Sequence, residues 1–290
     1  MLDLVTEGFA RAVLEPFSYP FMVRGLLAAV TVGAVCGMVG TFVVLRGMAF
    51  LGDALAHAIL PGVATAYLCG ATQRGTLFWW ALLTAVGASL GVGAISRSER
   101  IREDTAIGIV FAGMFALGIA LISTMKSYTV DLAHVLFGNV LQVSWAHLRT
   151  MWTCSGVVVL LMVSFYKEMV VLSFDPVFAS TLRLPSRFLH YLMLVLIAVV
   201  IVVSLQTVGV ALAVAMLVTP AATASLLTGR LRRMMALAAG LGAASGVAGL
   251  YLSYYLSMAP GAAMVLVATA CFLVAFAISR RRRIPTTRSG

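Results

Sequence analysis

Charge is scarce in this sequence. Only 10% of its 290 residues are Asp, Glu, Lys or Arg, against 62% apolar or aromatic, and the mean hydropathy is +1.05. Soluble domains carry roughly a quarter charged residues, so ten acidic and twenty basic side chains are too few to cover a soluble core of this size. The chain must face lipid. Nucleic acid is excluded as a partner in spite of the net charge of +10, because the basic residues sit in short clusters between apolar runs, as in the loops of membrane proteins.

Other absences narrow the chemistry. The four cysteines, Cys36, Cys69, Cys154 and Cys271, form no C-x-x-C or other metal or redox spacing and are expected to pack as small apolar residues. No G-x-x-x-x-G-K-[ST] phosphate loop occurs, so ATP is not bound in that way, and the energy for any active transport must enter through a partner. The lack of H-E-x-x-H disfavours an intramembrane metalloprotease, and no Ser/His pair suggests a lipid hydrolase. Fifteen methionines form no Met-x-x-Met array, which argues against copper(I) passage. The first twenty residues carry Asp3, Glu7 and Glu15 and lack a signal-peptide pattern.

What is present is a series of apolar runs, each close to the ~20 helical residues that cross a bilayer. Nine candidates fall near 21–45, 50–70, 77–96, 105–125, 148–166, 188–204, 207–228, 233–256 and 260–279. A kinked or re-entrant arrangement around Gln206-Thr207 lowers the count to eight. The expected fold is an all-α, polytopic transmembrane bundle of eight or nine spans in a single domain covering 1–290. Lys and Arg resist translocation. With the basic tail (280–290) in the cytoplasm, fifteen of the twenty basic residues lie on that side and five, Arg11, Arg24, Arg74, Lys126 and Arg149, lie outside. The tail's Arg280 to Arg283 suit anchorage at the lipid surface.

Between spans, 127–147 has apolar residues at helical spacing and is expected to lie along the outer surface. The segment 166–187 mixes charges with an apolar stripe on the cytoplasmic side and suits docking. Asp104 is placed to cap the helix that follows it. Three G-x-x-x-G pairs, Gly33/Gly37, Gly87/Gly91 and Gly242/Gly246, suit close approach of helix backbones.

Nine of the ten carboxylates lie in loops, at span edges or near the amino terminus, and Asp53 does not. A carboxylate at the start of the second span costs several kcal/mol unless it is paired or lines water. His57 follows one helical turn later, so both side chains share a face, ~5–6 Å apart at Cβ. A carboxylate and an imidazole suit zinc, manganese or ferrous iron, and two ligands are too few for storage, since structural zinc sites take four. The pair therefore fits a place where an ion pauses in transit. Pro61-Gly62 then breaks the helix, and broken helices mark substrate paths. Two other readings stay open: Asp53 as a helix cap bonded to His57, or a proton relay through the pair. Asp131 with His134 reads first as a surface polar pair, and His147 and His190 sit at span boundaries.

Five motifs, in order, carry a resemblance. They are Leu45-Arg46-Gly47-Met48 leading into Gly52-Asp53-Ala54-Leu55-Ala56-His57-Ala58 and Leu60-Pro61-Gly62; Glu103-Asp104-Thr105-Ala106-Ile107-Gly108; Asp131-Leu132 with His134 and Leu136-Phe137-Gly138-Asn139; Phe174-Asp175-Pro176; and Thr219-Pro220-Ala221-Ala222-Thr223. Over nearly its whole length the chain resembles the membrane-spanning permeases of bacterial ABC importers for manganese, zinc and iron. The resemblance implies a type II-like importer permease in the bacterial inner membrane that catalyses no reaction itself. It implies a homodimer on two copies of a cytoplasmic ABC ATPase, which binds the ATP, and an extracytoplasmic protein that delivers the metal. The transported Mn2+, Zn2+ or Fe2+ is cargo, and no permanent cofactor is implied. Asp53 and His57 match the family's intramembrane metal pair. The segment 173–185, with Phe174, Asp175, Pro176, Phe178, Leu182 and Pro185, resembles the coupling helix that fits a cleft on the ATPase. The mechanism implied is alternating access. The competing readings are a stand-alone proton-coupled metal carrier and an integral-membrane metal-dependent enzyme.

Overall fold

The computed structural model describes residues 15–71, 73–97, 101–124, 143–174, 179, 182 and 184–282. After a 3-10 turn at Glu15–Ser18, the described residues form eleven helices and no strand. These are α1 (Pro20–Leu45), α2 (Leu51–Ala58), α3 (Leu60–Leu68), α4 (Arg74–Ile95), α5 (Glu103–Ser123), α6 (Trp145–Ser164), α7 (Tyr166–Phe174), α8 (Ser186–Val208), α9 (Val210–Leu227), α10 (Leu231–Leu256) and α11 (Pro260–Arg282). All nine apolar runs are helical, and α2 and α3 divide the second between them.

Eight stretches among the described residues are long and apolar enough to cross a bilayer, and Leu212–Leu227 is a shorter ninth. The ninth nevertheless returns the chain to the end it left. Near the start of α8, Leu189 is buried with Leu172 of α7, and after α9 the guanidinium of Arg232 lies 5.5 Å from the centre of the Tyr166 ring, which opens α7. The residues that flank α7 and those that follow α9 thus share one end of the bundle. The turn between α8 and α9 falls at Gly209, at φ 82° and ψ 171°, just beyond the Gln206-Thr207 site that the sequence suggested. Only glycine adopts that conformation readily.

Lipid is as apolar as leucine, so helices in a bilayer associate through close packing rather than hydrophobic burial. The centre of the bundle shows this. α1 lies along α10, with Gly33 against Gly242, Gly37 against Ala238 and Gly246 against Ala29. A Cβ on Gly242 would lie 2.7 Å from the carbonyl carbon of Gly33, and the α1 and α10 backbones would have to separate. Gly242→Val is expected to cost about 3 kcal/mol, the upper end of ordinary overpacking, visible as a lowered thermal midpoint or loss of folded protein in detergent. The pair Gly87/Gly91 behaves differently. A Cβ on Gly87 meets nothing within 4 Å and one on Gly91 meets only Val110, at 3.8 Å, so Gly87→Val is expected to leave the folded fraction unchanged.

Around this centre α8 and α9 pack on α1, while α2 to α5 form a flank joined to it through α4·α8 and α2·α9 contacts. The outer faces, with Leu83, Ile109, Leu117, Leu160 and Leu273 exposed, present hydrocarbon to lipid. Cys36 is buried in the core, its Sγ 3.1 Å from Ser204 Oγ. The expectation of packed cysteines fails at Cys69, which is exposed at the carboxyl end of α3. Asp104 is not a cap: α5 starts one residue earlier, Arg102 occupies the capping position without a side-chain bond, and Asp104 lies in the first turn.

Candidate metal-passage site

α2 is short because Pro61 ends it. Proline lacks the N–H that would reach back four residues, and here that acceptor is the His57 carbonyl. The carbonyl instead accepts from Ile59 N–H, and the helix restarts as α3 with Pro61 in its first turn. Asp53, His57 and Pro61 therefore stand on successive turns, with the carboxylate one turn before the imidazole, and the displaced carbonyl is His57's own.

Asp53 lies inside the first turn of α2. Phe50 occupies the capping position in a helical conformation with no side-chain bond, so the capping reading of Asp53 is corrected. His57 Nε2 lies 3.6 Å from Asp53 Oδ1, an ion-pair distance longer than a hydrogen bond. The side chains are 27% and 41% exposed, respectively. Neither is sealed in the core, so both have room for a third partner.

The imidazole has aromatic walls from α5. Phe111 and Phe115 meet the His57 ring edge-on, with centroids at 5.9 and 5.8 Å, and stack on each other at 5.8 Å. Phe50 meets Phe111 edge-on at 5.7 Å. Sequence reading missed these phenylalanines. Their four-residue spacing is a signal, but in an apolar span it looks the same as a lipid-facing stripe.

Pro61 and Gly62 are buried. A Cβ on Gly118 of α5 would come within 2.7 Å of Leu60 Cβ and 3.2 Å of Pro61 Cδ, and Gly62 lies against Thr84 and Trp80 of α4. The break is thus held between two neighbouring helices. Among the described residues no group of three His, Cys, Asp or Glu side chains gathers to hold a metal. One chain offers two donors here.

The chain as a whole matches a known family. The sequence profile of the ABC 3 transport family fits residues 18–279. The chain belongs to the ABC 3 transport family. It is 50% identical over 258 residues to the manganese transport system membrane protein MntC of Listeria monocytogenes, covering 89% of this chain and 90% of that one. It is 39% identical over 270 residues to a probable iron transport system membrane protein of Haemophilus influenzae, at 93% and 98% coverage. The solved structure of PsaBC from Streptococcus pneumoniae in complex with Fab is similar, with a TM-score of 0.79 at 39% identity, covering 92% of this chain and 95% of that one. An inward-facing putative metal-chelate type ABC transporter shares the fold, with a TM-score of 0.69 at 18% identity over 89% and 86%.

In this ABC 3 family member the described parts of the segment 173–185 lie at the α7 end of the bundle. Phe174, the last residue of α7, is 63% exposed and Leu182 is 51% exposed, while Pro185 occupies the capping position of α8. Ala179 is buried with Leu172 and Leu189. Asp175, Pro176 and Phe178 lie outside the described residues, as do Asp131 and His134. His147 belongs to a helix cap: Ser144 Oγ accepts from its backbone N–H at 3.3 Å and lies 3.0 Å from Nδ1.

Proposed function

We propose that this chain is the permease subunit of an ATP-driven importer of divalent transition metal ions, with Mn2+ as the foremost cargo and Zn2+ and Fe2+ as alternatives. The observation that carries the reading is the Asp53–His57 pair at the Pro61 break, partly exposed and walled by Phe111 and Phe115. A bare divalent ion cannot enter hydrocarbon, where even a monovalent ion loses about 20 kcal/mol of idealised hydration energy. The path must replace water with protein donors. Asp53 supplies negative charge and oxygen. His57 supplies nitrogen, which discriminates against magnesium and calcium, since both prefer oxygen ligands. The manganese system relatives support Mn2+ as cargo.

Two donors per chain favour a homodimer, in which two pairs face a shared path. The exposed Phe174 and Leu182 suit the cleft of a cytoplasmic ATPase, bound in two copies, and an extracytoplasmic binding protein delivers the ion. The α7 end carries Arg46, Arg102, Arg187 and Arg232, so the charge asymmetry supports a cytoplasmic position for it and for the carboxyl terminus. Nucleotide-driven movement of the docking segments then opens the path to one side at a time.

The test is Mn2+ uptake into vesicles containing the chain with its ATPase. Uptake is expected only with ATPase and hydrolysable nucleotide, and excess Zn2+ and Fe2+ rank the cargoes by competition. Uptake by the purified chain alone under a pH gradient would establish the proton-coupled carrier instead.

A further inference from the structure

At the α7 end of the bundle four helix termini meet in a polar cluster that the metal site does not use. Arg46 Nη1 lies 2.9 Å from His190 Nδ1 and 3.8 Å from Glu103 Oε1, and His190 Nε2 lies 3.5 Å from Ser96 Oγ. The Arg46 and His190 side chains are only 10% and 15% exposed, and Glu103 is 34% exposed. A guanidinium only donates, so Nδ1 of His190 accepts from Arg46 and its proton sits on Nε2, facing Ser96. The Ser96 hydroxyl donates onward to the Gly93 carbonyl at 3.3 Å. Arg46 thus pairs with the Glu103 carboxylate on one side and donates to His190 on the other, and His190 passes the hydrogen-bond chain on to Ser96. Burial draws the Arg46 pKa below its ordinary value and Glu103 opposes the shift, so the carboxylate compensates a charge withdrawn from water.

The position of each member gives the cluster its meaning. Arg46 ends α1, and the turn after it, with Gly47 at φ 70°, leads directly into α2, which carries Asp53 and His57. Glu103 is the first residue of α5, which carries Phe111 and Phe115 against His57. Ser96 ends α4, whose Thr84 abuts Gly62 beyond the break. His190 lies near the start of α8, one residue after Leu189, which is buried with Ala179 of the segment 173–185. Three helices that shape the site and the helix that follows the docking segment are joined through these four side chains.

We infer that the Arg46–Glu103–His190 cluster is the link through which movement of the docking segment reaches the metal site, with all three acting as positioning residues. The inference rests on the importer reading above. The charge-assisted hydrogen bond from Arg46 to His190, backed by the Glu103 carboxylate, holds these helix ends together as they move, whereas apolar contacts would let the α8 start slide past the α2 turn.

The test uses the chain assembled with its ATPase in lipid vesicles, measuring ATP hydrolysis, Mn2+ uptake and Mn2+ bound per complex. Glu103→Gln, which removes the carboxylate charge, and His190→Leu, which removes both ring nitrogens, are expected to retain assembly, hydrolysis and Mn2+ binding, while Mn2+ taken up per ATP falls about five-fold or more. The double variant is expected to lose no more than the worse single variant, because both cut the same link. A ratio within two-fold of wild type in either assembled variant overturns the inference, as does a proportional fall of hydrolysis and uptake. If one variant does not assemble, the other decides by the same ratio. Failure of the wild-type complex to import Mn2+ with ATP would instead defeat the importer reading.

Discussion

His57→Ala is expected to lower Mn2+ uptake by the assembled transporter by about 100-fold or more. Substituting groups that merely orient a metal ligand costs 10- to 100-fold, and His57 would be a ligand itself. The substitution removes the only nitrogen donor of the pair and leaves Asp53 alone to strip water from the ion. Folding is expected to be retained, since the side chain is 27% exposed and its protein neighbours are the partly exposed Asp53 and the Phe111 and Phe115 rings. The check is isotopic uptake at fixed ATP, read beside co-purification of the ATPase. Wild-type uptake in an intact complex would remove His57 from the path and leave the pair with a structural role only.

Phe174→Asp is expected to detach the ATPase while the permease stays folded. Phe174 is 63% exposed in this chain, and substitutions at exposed sites usually change stability by no more than about 0.5 kcal/mol. An aromatic side chain that anchors an interface costs about 2 kcal/mol or more when lost, roughly a 30-fold weaker complex. A carboxylate forced into an apolar cleft adds its desolvation to that loss. Titration of the purified subunits gives the affinity, and thermal unfolding of the permease alone gives the control. An unchanged affinity would place docking on another surface.

Much of this was legible in the residues taken one segment at a time. Apolar runs near the length of a bilayer crossing had to be helices, because no other open structure satisfies its backbone in lipid. Asp53 stood out because a carboxylate at such a position needs a reason, and its four-residue offset from His57 is a property of helical geometry alone. Pro61 set the break through its missing N–H. The Lys and Arg asymmetry grouped the loop containing Arg46 with the one before Glu103 and the one around Arg187, and these are the loops whose neighbouring residues, Arg46, Ser96, Glu103 and His190, meet in the structure.

The tertiary structure decided which surfaces meet. Gly33/Gly37 and Gly87/Gly91 are the same motif, yet only the first lies against another helix's backbone, while Gly91 reaches no more than the Val110 side chain, because the motif permits close approach without naming a partner. Phe111 and Phe115 resemble a lipid-facing stripe until α5 is laid against α2. His190 reads as an ordinary boundary histidine until its ring is found between Arg46 and Ser96, each far away in sequence. The sequence by itself determined the helices, their membrane setting and the acid–imidazole pair, since these follow from local geometry and the cost of polar groups in lipid. The aromatic wall of the site and the polar tie to the docking end were decided only by packing, because each joins residues whose proximity depends on how whole helices stack.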